Sequence, residues 1–369
     1  MGQYQKDFDK LIEELPPIRL LSAPELKRNS YLITILGFEP RCFAVAQSFS
    51  NSGLIFDKSF CIKYTQTEMR DFNFKYEKKL VALLESITQK DQVHYIEHED
   101  RDFNTDFGEK LIKELSVKGI DVTLNDTNIY FDITVGSSRL LLEGLHALFL
   151  SKISLTLLYS ESTVYRPFFC EYRSFLEESK YKEVPAPEFL TYGVENVEIV
   201  KRMSGRNADS LPTYLALFPS FTPIRLGAVL EEVSPSRVYW LFGVPHLVKN
   251  RWRIDAQSDY HKKWIENSHR HCFVSTFYYT EALQALEGIY QKIKGNYGMM
   301  VCSLGSKLQK IGQVLFHILR PEVGAIVSVP KTWDTENYSD DEPRAIYSIQ
   351  FENCELLKKE LWLTRKLKY

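Results

Sequence analysis

From residue 31 onward, short apolar runs of strand length alternate with stretches whose apolar residues recur every three or four positions. Tyr31 to Phe38 is the first strand-like run, Arg41 to Phe49 has helix character, and Ser59 to Tyr64 forms a second strand pattern. Phe74 to Ile87 predicts a helix, because Leu80, Leu83, Leu84 and Ile87 fall on one face. A third strand at Val93 to Ile96, a helix at Phe107 to Leu115 and a fourth strand at Asn128 to Val135 follow. Leu140 to Leu150 and Ile153 to Tyr159 close the series as helix and strand. Largely apolar strands alternating with helices predict a parallel sheet covered on both faces. Ahead of the series, residues 4–15 form an amphipathic pattern stopped by Pro16 and Pro17, which cannot continue a helix.

The rhythm breaks between Arg166 and Pro212, with Pro185, Pro187, Gly193 and the polar run Met203 to Ser210, and then restarts. Thr213 to Phe218, Arg237 to Val244, Cys272 to Phe277, Gly298 to Ser303 and Val323 to Val329 have strand character. Ile224 to Val233, Tyr260 to His269, Glu281 to Ile293 and Leu308 to Leu319 have helix character. Ala345 to Phe351 predicts a final antiparallel strand, after a polar loop containing Asp334 and Asp340 to Glu342. The expected organisation is an N-terminal helical segment (1–30), a first Rossmann-like half (31–165), a connector (166–212) and a second half (213–369). The fold class expected is α/β, as two tandem Rossmann-like parallel-sheet halves related by a pseudo-twofold axis across a shared cleft.

The two series also match at their turns. The first strands run into Gly37-Phe38-Glu39-Pro40-Arg41 and Ser220-Phe221-Thr222-Pro223-Ile224-Arg225, each with a proline at a helix start and an arginine close behind. The fourth strands run into Thr134-Val135-Gly136-Ser137-Ser138-Arg139 and Ser303-Leu304-Gly305-Ser306-Lys307. Duplication explains both matches. Such turns lie beyond the carboxyl ends of the strands, where ligands of doubly wound sheets bind. Gly136 and Gly305 allow close backbone approach, Ser137 and Ser306 can cap a helix or donate a hydrogen bond, and free amides favour an anion. Arg139, Lys307, Arg41 and Arg225 would add positive charge. Asp132, in an otherwise apolar strand, is either a ligand group or a carboxylate bonded to nearby backbone amides; the second copy has Val301 there.

Composition narrows the function classes. The 369 residues carry 46 basic and 48 acidic side chains, so the overall basic excess of nonspecific duplex binders is absent. Six cysteines, Cys42, Cys61, Cys170, Cys272, Cys302 and Cys354, show no CxxC spacing, as expected of thiols in a reducing compartment. The N-terminus lacks the basic start and apolar core of a secretory signal, and no apolar run reaches the roughly 18 residues of a bilayer span. The cytoplasm is the expected compartment.

Several familiar chemistries lack their motifs. There is no GxxxxGK[ST] loop, no GxGxxG after the first strand and no GxSxG elbow. The cluster His269-Arg270-His271-Cys272 lacks paired metal-ligand spacing, so neither a metal nor a cofactor is expected. The basic and aromatic stretch His246 to Arg253, with Lys262, Lys263 and Trp264, has two readings: a nucleic-acid surface or a solvated helix face.

The run DITVGSSR at Asp132 to Arg139, followed by an apolar helix, resembles the D-x-T-x-G-[ST]-[KR] loop of CARF domains, with Ser138 inserted before the basic residue. The tandem arrangement is similar to SAVED domains, in which two CARF-like halves share a chain. The resemblance implies a sensor of nucleotide signals in prokaryotic antiviral defence, binding a nucleotide or oligonucleotide phosphate through Gly136, Ser137, Arg139, Gly305, Ser306 and Lys307. Arg41, Arg225 and Asp132 would assist. The two halves take up nearly the whole chain, so the effector would be a separate protein. A scaffold that docks a catalytic partner is the alternative; a nucleotide-processing enzyme is a third, with Asp132 and Glu39 as its only acid–base pair.

Overall fold

The computed structural model describes residues 2–22, 26–65, 67–182, 184, 188–205, 211–265, 270–335 and 343–366. The chain divides into two compact units, Met1–Val164 with Ser339–Tyr369, and Tyr165–Tyr338.

The first unit begins with helix α1 (Gln3–Glu14) and a two-residue strand β1 (Arg19–Leu20). The alternating series follows as β2 (Ser30–Leu36), α2 (Ala44–Asn51), β3 (Lys58–Tyr64), α3 (Thr67–Ser86), β4 (Val93–His98), α4 (Phe107–Val117), β5 (Asn128–Asp132), α5 (Ser138–Phe149) and β6 (Ser154–Ser162). In the second unit, α6 (Phe169–Ser179), β7 (Thr191–Tyr192) and β8 (Asn196–Ile199) precede a matching series. That series is β9 (Thr213–Phe218), α7 (Pro223–Val233), β10 (Arg237–Val244), α8 (Trp252–Tyr260), α9 (Lys262–Ile265), β11 (His271–Ser275), α10 (Tyr279–Ile293), β12 (Gly298–Ser303), α11 (Lys307–Leu319) and β13 (Gly324–Val329). A short β14 (Thr332–Trp333) pairs with β7, and the chain ends in β15 (Pro343–Phe351) and α12 (Cys354–Lys366).

The strand order is β1-β15-β6-β5-β2-β3-β4 in one sheet and β11-β10-β9-β12-β13-β8 in the other. In both, the five strands of the alternating series are parallel and run third, second, first, fourth, fifth across the sheet. An antiparallel strand then flanks the fifth, β15 beside β6 and β8 beside β13. This is the Rossmann-like α/β architecture expected, built twice with one strand order. Helices on both faces explain why β2, β5 and β13 are buried at every residue. The edge strand β4 instead leaves Tyr95 exposed.

Three expectations about boundaries need correction. The stretch 343–366 does not belong to the second half. β15 aligns with β6 from Pro343 to Phe351, the Phe351 ring lies 4.8 Å from that of Phe149, and α12 buries Leu357 and Leu361. Nor is 166–212 only a connector, since β8 completes the second sheet and Tyr172 of α6 packs with Phe189, Phe221, Ala256 and Tyr260. The helix placed at Tyr260 to His269 starts earlier, at Trp252, and residues 266–269 lie outside the described residues. So do 206–210 of the polar run and Asp340 to Glu342. Periodicity shows that a segment buries one face; it does not show which sheet receives it.

The crossing of α10 and α11 turns on one glycine. A Cβ at Gly312 would lie 2.2 Å from the Tyr279 carbonyl oxygen and 2.9 Å from the Ala282 Cβ, whereas a Cβ at the exposed Gly288 of α10 meets nothing. Gly312→Ala is therefore expected to destabilise the protein by about 1–3 kcal/mol, while Gly288→Ala is neutral or stabilises by up to about 1 kcal/mol. Denaturant titration of the two variants checks this; equal behaviour would show that the helices do not meet so closely.

Candidate functional site

In each sheet the chain leaves the first strand toward one edge, then returns to lay its fourth strand on the other side of the first. The turns beyond β2 and β5, and beyond β9 and β12, therefore lie at topological switch points, the positions where open α/β sheets hold ligands. Gly136, Ser137, Arg139, Gly305, Ser306, Lys307, Arg41, Arg225 and Asp132 all lie at or beside one of them.

Packing accounts for both glycines. A Cβ at Gly136 would fall 2.6 Å from Leu141 Cδ2 and 2.9 Å from Ile35 Cδ1, and one at Gly305 would fall 2.1 Å from Gln309 Oε1. Their smoothness serves the protein's own side chains.

The first-unit turn is filled by internal bonds. Ser137 caps α5 by accepting from the Leu140 amide, its hydroxyl donates to Asp100 at 2.6 Å, and its amide donates to the Tyr64 hydroxyl at 2.8 Å. Arg139, expected to offer its charge to a ligand, is 2% exposed. Its guanidinium pairs with Glu143 at 3.3 Å and donates to the carbonyls of Asp100 and Thr105, pinning the loop before α4 onto α5. His98 Nε2 lies 2.7 Å from the same Asp100 carboxylate. Burial pushes that carboxyl up, but hydrogen bonds from His98 and Ser137 and the Arg139 charge leave it below its ordinary range. The Asp100 carboxylate, not the imidazole, stands between Ser137 and His98, so the order differs from the serine–histidine–carboxylate order of a nucleophile relay.

Asp132 and Arg41 are likewise engaged. One Asp132 oxygen accepts from the Thr134 amide at 3.0 Å and its hydroxyl at 2.5 Å, which is the backbone-bonding role. Burial pushes the carboxyl up to about 7 against the pull of those bonds and of Arg41. Arg41 pairs with Glu39 at 2.5 Å and donates to the Ser160 carbonyl on β6 at 2.7 Å. Arg225 makes the matching bond to the Ser328 carbonyl on β13, so the two arginines hold equivalent places.

The second-unit turn is built alike but charged differently. Ser306 caps α11 in a reciprocal box with Gln309, and its hydroxyl donates to the Thr276 carbonyl at 2.6 Å. With Ser137 and Ser306 both at the cap, Lys307 corresponds to Ser138 and not to Arg139. The basic residues thus sit one helical position apart, about 100° around the axis. Counting from the same caps, Glu143 is replaced by Gly312 and Asp132 by Val301, while Thr222 precedes the proline where Glu39 does in the first copy. The carboxylate that receives the cap hydroxyl becomes a backbone carbonyl. Leu141 becomes Lys310.

Lys310 is 2% exposed, and its ammonium donates to the Gly305 carbonyl at 2.9 Å. Burial, then the charges of Lys307 and Arg225, push its pKa well below the ordinary lysine range, with the buried Cys302 thiol acting in the opposite direction. The sequence held a sign of this: Lys310 lies four residues before Val314, on the apolar stripe of α11, where a charge is out of place.

Elsewhere, the aromatic groups of the 246–264 stretch face inward. Trp252 stacks on Tyr172, and Arg253 donates to the Tyr165, Arg166 and Pro167 carbonyls, so neither is free to stack a base. His269 lies outside the described residues, and among those described no group of three His, Cys, Asp or Glu side chains is placed to hold a metal. Two cavities, of about 410 Å³ between α1 and the β15–α12 segment and about 100 Å³ beside His98, belong to the first unit. No described helix is long and apolar enough to cross a membrane.

No family model and no curated protein matches the chain. Among solved structures, the cytoplasmic domain of a prokaryotic cation chloride cotransporter aligns at 7% identity over 85% of this chain and 98% of that one, with a TM-score of 0.22. UDP-GlcNAc 2-epimerase from Neisseria meningitidis, bound to UDP-GlcNAc, aligns at 10% identity over 74% and 77%, also at 0.22. Scores this low carry nothing over to the chemistry of this chain.

Two outcomes follow for the first-unit turn. Arg139→Ala should destabilise the fold by about 3–5 kcal/mol, because Glu143 and two carbonyls lose their buried partner; a melting temperature equal to wild type would contradict this. Asp132 binds its proton more tightly in the folded than in the unfolded state, so its contribution is fully present below about pH 4 and lost as pH rises toward about 7. The stability of wild type relative to Asp132→Asn should therefore increase as pH falls from 7 to 4, measured by denaturant titration, and a flat difference would contradict the shift.

Proposed function

We propose that this chain is a ligand-binding regulatory protein that holds a phosphate of a nucleotide or oligonucleotide at the switch-point turn of its second unit. The observation that carries the reading is the charge of that turn: the buried Lys310 feels the charges of Lys307 and Arg225, where the first copy's acids have been replaced by neutral residues. A cation buried without a carboxylate is costly, and a bound anion would remove the cost. Nucleotide phosphates suit such a place at a helix start. The resemblance to CARF and SAVED sensors agrees in kind of ligand, and it suggests a role in antiviral defence alongside a separate effector protein.

A second reading has its own support. The first-unit turn, with Ser137, Arg139, Asp132 and Arg41 all bonded internally, suits a half that acts as scaffold. The enzyme reading is weaker, because Glu39 is buried against Arg41 and Asp132 against Thr134.

Calorimetric titration with linear and cyclic oligonucleotides and nucleoside phosphates tests the proposal. Wild type should bind at least one of them, Lys310→Met and Lys307→Met should each weaken that binding by about ten-fold or more, and added salt should weaken it further. No binding by wild type, or unchanged binding by both variants, would leave the scaffold as the better account.

A further inference from the structure

The larger cavity of the first unit, about 410 Å³, lies between α1 and the β15–α12 segment, both of which belong to that unit. Its volume is that of a small-ligand pocket. The sequence explains why it opens there. α1 buries Tyr4, Phe8, Leu11 and Leu15 as one stripe, and Pro16 and Pro17 then stop the helix. β1 begins at Arg19 and pairs with β15 at Ser348 and Tyr347. By the same register the next place on that edge, at Gln350, falls to Pro17, which has no amide to donate. Pro17, Ser348 and Gln350 all line the cavity.

Its walls are apolar and its charge is mainly negative. Leu11, Leu15 and Leu357 line it and are buried, while Leu356, also lining it, is 54% exposed. Leu356 and Glu360 lie one turn apart on the same side of α12, and Glu14 comes from α1 beside Leu11 and Leu15. Among the described residues that line the cavity, the carboxylates of Glu14, Glu352 and Glu360 meet one cation, Arg19. Glu14 also lies 3.5 Å from Lys10, but both side chains are mostly exposed, so water weakens that pair. The Glu14 charge is felt by Glu360: burial, then Glu14, hold the Glu360 carboxyl above its ordinary range, with Lys10 acting in the opposite direction. A cation between the two helices would relieve that repulsion.

A bare metal ion suits this cavity poorly. It needs several oxygens close together, and among the described residues no three acidic, histidine or cysteine side chains are grouped to hold one. A linear aliphatic polyamine offers ammonium groups to the carboxylates and methylene runs to the leucines between them. We propose that the cavity binds a linear polyamine, with Glu14, Glu352 and Glu360 receiving the ammonium groups and Leu356 covering the methylenes. None of these residues belongs to the second-unit turn.

Calorimetric titration of spermidine into the whole chain at low salt tests this. Wild type should bind a single equivalent. Glu14→Gln and Glu360→Gln should each weaken binding by about two- to five-fold, and the double variant by about ten-fold. Leu356→Ser should weaken it too, whereas Glu178→Gln, which removes an exposed acid of the second unit, should leave it unchanged. Melting temperature is the folding control, and Mg²⁺ at matched ionic strength should compete poorly. No binding by wild type, unchanged binding by the double variant, an equal loss with Glu178→Gln, or Mg²⁺ competing as well as spermidine would overturn the inference. A lysine-rich peptide that displaces spermidine and binds more tightly would overturn the assignment to a free polyamine.

Discussion

Parallel strands can be joined only by crossovers long enough to hold a helix, and those crossovers are right-handed. Everything else in this protein follows from meeting that constraint twice. Each sheet starts in its middle, with β2 or β9, builds outward to one edge, and returns to fill the other side. The two central strands then send their turns to opposite faces, and a crevice opens where the paths part. The antiparallel strand beside the fifth strand comes from outside the series in both cases. β8 is drawn from the segment before the second series, and β15 from the segment after it.

On this shared frame, the two copies answer differently the question of what meets a buried cation. In the first, Arg139 is met by Glu143 and two carbonyls, and Arg41 by Glu39 and the Ser160 carbonyl. Those contacts lock the loops, and they use up the donors a ligand would need. In the second, Arg225 keeps the frame-holding bond to the fifth strand, but no acid takes the places of Glu39, Asp132 and Glu143. Lys310 donates to the Gly305 carbonyl. Two turns with one backbone frame and different buried charges are what duplication with divergence produces.

Much of the frame was legible in the chain itself. Thr213–Phe218, Arg237–Val244 and Gly298–Ser303 are strands with the ends their apolar runs indicate, and both prolines start helical turns as their place before an arginine suggests. The destination of β15 was not legible, because its alternating residues suit the edge of either sheet. The site was harder still. Aligning Arg139 with Lys307 by chain order treats Ser138 as an insertion, but helical frames are set by their caps, and one residue of offset turns a surface charge into a buried one. The bonds that engage Ser137 come from Tyr64 and Asp100, 73 and 37 residues away, and no local pattern reports them. Lys310 alone left a local trace, as a charge on an apolar stripe.

The central claim is that an anion sits beside Lys310, where the charges of Lys307 and Arg225 are felt. Crystals of the protein soaked in tungstate, a dense analogue of phosphate, would test it directly through anomalous scattering. The account predicts a tungsten peak within hydrogen-bonding distance of Lys310 Nζ and at least one of the other two cations, and none at the first-unit turn beside Arg139. A peak at Arg139, or an empty second turn in crystals that take up tungstate elsewhere, would contradict it.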